Sequence, residues 1–317
     1  MLHRLEAEPE TVRWGYFDPA GKPVLTIDDG DSVEVTTVSG VPEVMPPQSS
    51  GLSVPDDLAR IHDAVPRGPA NHILTGPIAI RGAEPGNVLE VRVLDVSLRT
   101  DWGWNAIRPY WGVLQREFPT RYLSYVVFDR DRMRGVLPSG LSVPLAPFFG
   151  IMGVAPPISS GRQSSKEPRS YGGNIDFKDL RAGATLYLPV WVPGAMFSVG
   201  DGHAAQGDGE VNGTAIEAAL AGSFELHVRK DLTWRLPRAE TASDYVTFGF
   251  SEDINAALHD ALSEMIDWIV TLHRISREDA YALASIAVDL RITQVVNGVK
   301  GAHALLSKNG ILQSRSP

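Results

Sequence analysis

The sequence predicts a β-rich α+β fold: an antiparallel, barrel- or sandwich-like β core, then a C-terminal helical pair and returning strands. Three observations predict it. Short apolar runs are separated by Gly and Pro, which number 30 and 23. Two runs in the middle of the chain carry a two-residue period. A helical period appears only after residue 250, and strand character returns behind it. Strands, then helices, then strands is the order of an α+β fold and not of a doubly wound sheet.

The opening runs TVRWGYF, PVLTI and DSVEVTTV stand close together, broken by Asp, Gly and Pro, and read as an antiparallel start. In NVLEVRVLDVSL, Val88, Glu90 and Arg92 alternate with Leu89, Val91 and Val93, a strand with unlike faces. TLYLPVWV is a second such run, and Pro189 inside it implies an edge, a bend or a bulge. The approaches GAEPGNVLEVRV and DLRAGATLYLPV echo one another, as either a duplicated barrel unit or the common grammar of turn and strand would produce. From residue 253 to 273, Ile254, Leu258, Ala261, Leu262, Met265, Ile269 and Leu272 draw one helical stripe. Ser251 is the expected N-cap, with Glu252 and Asp253 at the positive end of the dipole. A second helix starts at Ser276, with Asp279 three residues on. VDLRITQVV is a strand, and VNGVKG a turn. Residues 1–250 form the expected catalytic core and residues 251–317 an element packed on it, in one compact unit. Residues 159–173 are polar and turn-rich: a surface loop, either a solvated connection or a lid.

Composition excludes several classes. Lys and Arg number 29 against 38 Asp and Glu, a net charge of −9 that repels phosphate backbones. No basic run marks an anionic membrane surface. No run approaches the roughly eighteen apolar residues of a membrane span. The first residues lack the apolar segment of a signal peptide, so the expected location is the cytoplasm. The absence of cysteine removes disulfides, thiolate ligands and Cys nucleophiles. No G-x-G-x-x-G follows a strand, no P-loop is present, and no G-x-S-x-G marks a hydrolase elbow. A Ser–Ser–Lys amidase needs a separate lysine, and here Ser164, Ser165 and Lys166 are adjacent in a polar loop.

Candidate chemistry is densest in SVGDGHAAQGDGE, residues 198–210, which holds Asp201, His203, Gln206, Asp208 and Glu210 among four glycines. Asp201 and His203 share a face of an extended segment. A carboxylate and an imidazole there suit a divalent ion such as zinc. The same string also reads as a glycine-rich hairpin with Asp in turn positions. In YGGNIDFKDL, Asn174 and Asp176 form either a turn or a ligand pair. His72, between a polar loop and an apolar strand, is either a satisfied structural residue or a ligand.

Five segments occur in a fixed order: HILTGPIAIRGAEPGNVLEV, APFFGIMGVAPP, GGNID, LYLPVWVPGAMFSVGDGHAAQGDGEVNGTAIE and DLRITQVVNGVKGAHALL. In this ordered set, which runs from residue 72 to about residue 306, the chain resembles the acetamidase/formamidase family. The resemblance implies hydrolysis of short-chain amides to a carboxylate and ammonia, a β-rich fold, a divalent metal in at least some members, and homo-oligomers. Three positions depart from the pattern: Asn87, Asn212 and Phe177, the last beside Asp176, where it makes the pocket less polar.

The expected chemistry is metal-assisted. Asp176, Asp201 and His203 are the expected ligands, of zinc first and calcium next, and Glu210 is the expected general base. His72 is a fourth ligand or an oxyanion donor. Gln206 and Asp208 orient the ligands, and Asp208 stands next in line as base. Phe148, Phe149, Met152, Phe177 and Trp191 are the expected apolar wall. The partner is a small amide, with neither nucleic acid nor membrane. The rival readings are a non-catalytic β-rich module that holds a metal or small ligand, and a hydrolase of cyclic amides or carbamates.

Overall fold

The computed structural model describes residues 1–310. Two large sheets face each other across one apolar core, and neither closes into a barrel. The first has nine strands, in the order Leu2–Leu5, Ser32–Thr36, Leu220–Arg229, Val88–Leu98, Thr185–Pro189, Arg238–Glu240, Asp244–Ser251, Lys300–Ser307 and Val288–Gln294. Leu89, Val91 and Val93 turn to the core, as their alternation predicts. Glu90, on the other face, is also buried, because Arg92 and Arg229 pair with it at 2.7 and 2.8 Å. Pro189 ends its strand: it pairs with Val88 on one side, while the short Arg238–Glu240 strand stops at Tyr187 on the other.

The second sheet has eleven strands and is built around Phe197–Ala205. Phe148–Gly153 runs antiparallel along one edge of that strand. The other edge exchanges partners part-way. Ile73–Ile80 lies against Phe197, Val199 and Gly200, and Ile216–Glu217 lies against His203 and Ala205. Asp201 sits at the seam between them.

The three opening runs do not pair with one another, contrary to the antiparallel start that their spacing suggests. Val12–Trp14 and Leu25–Ile27 both join Ile73–Ile80, the second in parallel, while Ser32–Thr36 joins the opposite sheet. Ile73–Ile80 is buried along its whole length, so it takes neighbours on both edges, and proximity in sequence decides nothing.

The helices span Ile254–His273 and Arg277–Ala287. Asp253, and not Ser251, caps the first by accepting from the Asn255 N–H at 3.0 Å; Ser251 accepts from the Asp253 N–H one step upstream. Ser276 caps the second through the Asp279 N–H at 3.0 Å. Gly249 lets the first helix approach the sheet, since a Cβ there would lie 2.0 Å from the Ala257 carbonyl. Lys300–Ser307 and Val288–Gln294 continue the nine-stranded sheet beyond Asp244–Ser251. The polar stretch at residues 159–173 is tied down: Gln163–Ser164 pairs with Tyr16–Phe17, and Arg162 pairs with Asp18 at 2.9 Å. Among the described residues no helix is long and apolar enough to cross a membrane.

Candidate active site

The seam in the second sheet makes the site. Where Phe197–Ala205 changes partner, Asp201 adopts φ +57, a left-handed conformation that short polar side chains tolerate best. Asp176 follows the Gly172–Asn174 strand with φ +56, and its N–H donates to the Gly150 carbonyl at 3.1 Å. Glu210 has φ +45. Three of the eight non-glycine residues with positive φ among the described residues are therefore these carboxylates. Such clustering of unfavourable backbone is typical of functional sites. Gly150 floors the centre. A Cβ there would meet Asp176 Oδ1 at 2.6 Å, His203 Cε1 at 2.7 Å and Asp201 Oδ2 at 2.9 Å, so only glycine leaves the space in which these atoms converge.

The contacts define each group's role. Gln206 Nε2 donates to the Asp176 carbonyl at 2.8 Å, which turns Gln206 Oε1 toward His203 Nδ1 at 2.9 Å. Nδ1 then carries a proton, and Nε2 faces the carboxylates. That Nε2 stands 3.3 Å from Asp201 and 3.5 Å from Glu217, yet has no hydrogen-bond partner. Asp176 Oδ2 accepts from Asn297 Nδ2 at 2.8 Å, while its Oδ1 is also unpartnered. Phe148 presses edge-on to His203, with ring centroids 5.1 Å apart.

Four buried carboxylates, Asp176, Asp201, Glu210 and Glu217, thus surround one imidazole. Burial, reinforced by the neighbouring carboxylates, pushes Asp176, Glu210 and Glu217 above the usual range. Asp201 moves down in spite of its burial, because His72 and His203 stand beside it. Burial opposes a proton on His203, but Glu217 and Asp201 raise it well above its ordinary value. So much buried negative charge needs protons or a cation to balance it. Two trios could hold a divalent ion: Asp176, Asp201 and His203, or His203, Glu210 and Glu217, each with its ligand atoms within 4.8 Å of one another. His203 Nε2 is unpartnered and serves either trio; the unpartnered Asp176 Oδ1 fits the first, whereas Glu217 Oε1 in the second is occupied by the Ala215 N–H at 2.9 Å.

Asp201, Glu210 and Glu217 open into a cavity of about 470 Å³. His72 stands on its wall, hydrogen-bonded through Nδ1 to Ser165 Oγ at 3.0 Å, and burial holds its imidazole below its ordinary value. Asp176, Asp201, His203, Glu210 and Gln206 are thereby brought together. Asp208 is not among them: it points to the surface and pairs with Lys178 at 2.9 Å. The apolar wall also differs from the expected one. Phe149, Met152 and Phe177 are buried in the core, and Trp191 packs on its margin. Phe177 spends its ring on Phe248 and His303, at 5.3 and 4.8 Å, and does not face the cavity. Trp104, Trp111, Ile73 and Val38 form the wall in their place. Glu217, Asn297, Arg108 and Gly150 escape a reading of the sequence. Glu217 leaves one clue, a lone carboxylate inside the apolar run AIEAALA. Asn297 is masked by the turn signal of VNGVKG.

The acetamidase/formamidase family model matches residues 6–163 and 159–306. A putative formamidase of Schizosaccharomyces pombe is 28% identical over 307 residues, covering 74% of this chain and 71% of its own. A formamidase of Methylophilus methylotrophus is 30% identical over 214 residues, covering 50% and 51%. The chain thus spans about half the length of that bacterial relative. The crystal structure of a predicted acetamidase/formamidase from Thermoanaerobacter tengcongensis superposes with a TM-score of 0.85 at 29% identity, covering 97% of this chain and 96% of the other.

Proposed function

The chain belongs to the acetamidase/formamidase family, and on that premise we propose that it is a hydrolase of carbon–nitrogen bonds in linear primary amides, releasing a carboxylate and ammonia. The observation that carries this reading is the convergence of Asp176, Asp201 and His203, with Glu210 beside His203, behind a cavity that Asp201 and Glu210 line. Asp176, Asp201 and His203 would hold a divalent ion, zinc before calcium. When bound, that ion supplies Lewis acidity toward water and the amide carbonyl. The protein's own groups do the rest. Gln206 fixes the His203 tautomer, and Asn297 fixes the Asp176 carboxylate. Glu210, which burial pushes above the usual carboxylate range, is a stronger base than an exposed carboxylate once ionised, and is placed to take a proton from water and return it to the departing nitrogen. Glu217, with a ligand atom within 4.8 Å of those of His203 and Glu210, shares the negative charge. His72 faces the cavity from the wall, where a ring N–H can meet oxygen charge developing on the carbonyl.

The family resemblance also supports a homo-oligomer, for which closed symmetry is the usual form, and the cytoplasm is the location we assign. Ammonia release from a panel of primary amides, with and without a chelator, tests the activity. Full turnover in protein stripped of metal would end the metal-assisted reading. No turnover on any amide in metal-replete protein would favour a binding module instead.

A further inference from the structure

The cavity carries two unlike sets of groups. Asp201, Glu210 and Glu217 supply one. The other is a set of donors whose capacity is only partly used. Arg108 and Lys166 both lie over the Trp111 ring, 4.8 and 4.2 Å from its centroid. Among the described residues neither forms an ion pair. Arg108 Nη2 donates to the Gly213 carbonyl at 2.7 Å, but its Nε has no acceptor. Trp104 Nε1 and Trp111 Nε1 are buried without acceptors too. All four residues line the same cavity. Glu43, another carboxylate lining the cavity, is already taken by Arg67 at 2.9 Å.

Buried donors without acceptors are costly, and a bound anion relieves several at once. Glu217, Glu210 and Asp201 are the opposite charges that act most strongly on Arg108; a cation held by those carboxylates would offset them, which leaves Arg108 and Lys166 to answer a ligand. The volume agrees: about 470 Å³ falls in the range of roughly 300–1,000 Å³ that encloses sizeable ligands. A two-carbon amide fills only a small part of it.

We propose that the amide preferred by this site carries a carboxylate at its far end, as in the half-amide of a short dicarboxylic acid. The amide lies at Asp201, Glu210 and Glu217, and Arg108 and Lys166 receive the charged end. The inference rests on the amide-hydrolase reading for its chemistry, but its anion-binding half can be measured without turnover.

The experiment compares succinamate with succinamide, which has nearly the same shape without the charge, and with acetamide. Ammonia release gives kcat/KM, and calorimetry gives binding of the two four-carbon compounds. Succinamate is expected to exceed succinamide by about tenfold or more in both measurements, with the ratio shrinking as salt is added. Arg108→Gln and Lys166→Met should each lower that ratio by roughly three- to tenfold, at a melting temperature near that of the parent. Lys166→Met keeps the apolar stem over Trp111 and removes only the charge. Equal values for succinamate and succinamide, in a protein that releases ammonia from acetamide, would overturn the anion inference and leave the amide reading standing. Selective binding of succinamate without ammonia from any amide would uphold the anion recess and overturn the amide reading. Neither selectivity nor ammonia would overturn both.

Discussion

Gln206 joins His203 to Asp176: its Oε1 accepts from His203 Nδ1 at 2.9 Å, while its Nε2 donates to the Asp176 carbonyl at 2.8 Å. One amide side chain therefore sets the tautomer of the imidazole and its distance from the loop that carries the nearest carboxylate. Gln206→Ala removes both restraints and leaves every proposed ligand in place. Metal affinity should fall by about 10–100-fold. Competition with a chromogenic chelator measures it, and an unchanged affinity would remove Gln206 from the site's architecture.

Gly150 is the stricter test of the centre. Gly150→Ala places a methyl group 2.6 Å from Asp176 Oδ1 and 2.9 Å from Asp201 Oδ2. Overpacking of this kind costs about 1–3 kcal/mol, and here the displaced atoms are the ones that would hold the ion. The variant should fold, lose bound metal and lose turnover together. Elemental analysis beside circular dichroism decides the matter. A fully metallated, fully active Gly150→Ala protein would contradict the proposed ligand set.

Glu210 and Glu217 are separable by their neighbours. Glu210→Gln retains size and hydrogen bonding but cannot take a proton, so turnover should fall by about 10²–10⁴ while bound metal stays near the parent value. If Glu210 is instead a ligand beside Glu217 and His203, the same change lowers metal content in step with activity. Turnover and metal content measured on one preparation distinguish the two, and near-normal turnover would refute both roles.

His303 makes stability depend on pH away from the site. Burial lowers its imidazole to about 4, against an ordinary value of 6.5. Its Nδ1 shares a hydrogen bond with Thr293 Oγ1 at 2.8 Å, and Phe177 packs on its ring. Of the charges that act on it, Asp208 favours the protonated form, and Arg291 and Lys178 oppose it. Between those two values the unfolded chain binds the extra proton and the folded chain does not. The contribution is fully present above about 6.5 and is lost as the pH falls toward 4, roughly 3 kcal/mol at most. Urea melts at pH 7 and pH 5 should show the loss in the parent and a flatter dependence in His303→Gln. Equal slopes would remove His303 as the cause.

The sequence discloses local features well and distant ones poorly. Asp201 and His203 are legible because a period-two segment places them on one face, and Gln206 because it follows only three residues on. The Ser276 cap is legible for the same reason. Asp253 displaces Ser251 as the other cap because both are good caps two residues apart, and backbone geometry chooses between them. Glu217 and Asn297 reach the centre only through sheet pairing, which no spacing in the chain records. The aromatic residues mislead for a related reason. PFFGIMG is apolar and near the motif, but Phe149 and Met152 belong to a strand buried on both faces, so their rings and thioether fill the core.

The seam at Asp201 has a consequence for the order of events during synthesis. Every carboxylate of the centre has been synthesised by residue 217, but Asn297, which anchors Asp176, is still eighty residues from being made. The Gly209 N–H likewise waits for the Thr293 carbonyl. A nascent chain therefore carries the reactive groups without the clasp that aligns them. Competence arrives when the last strands close over the Glu210 loop, so a prematurely ended chain has the ingredients of an amidase but not its alignment.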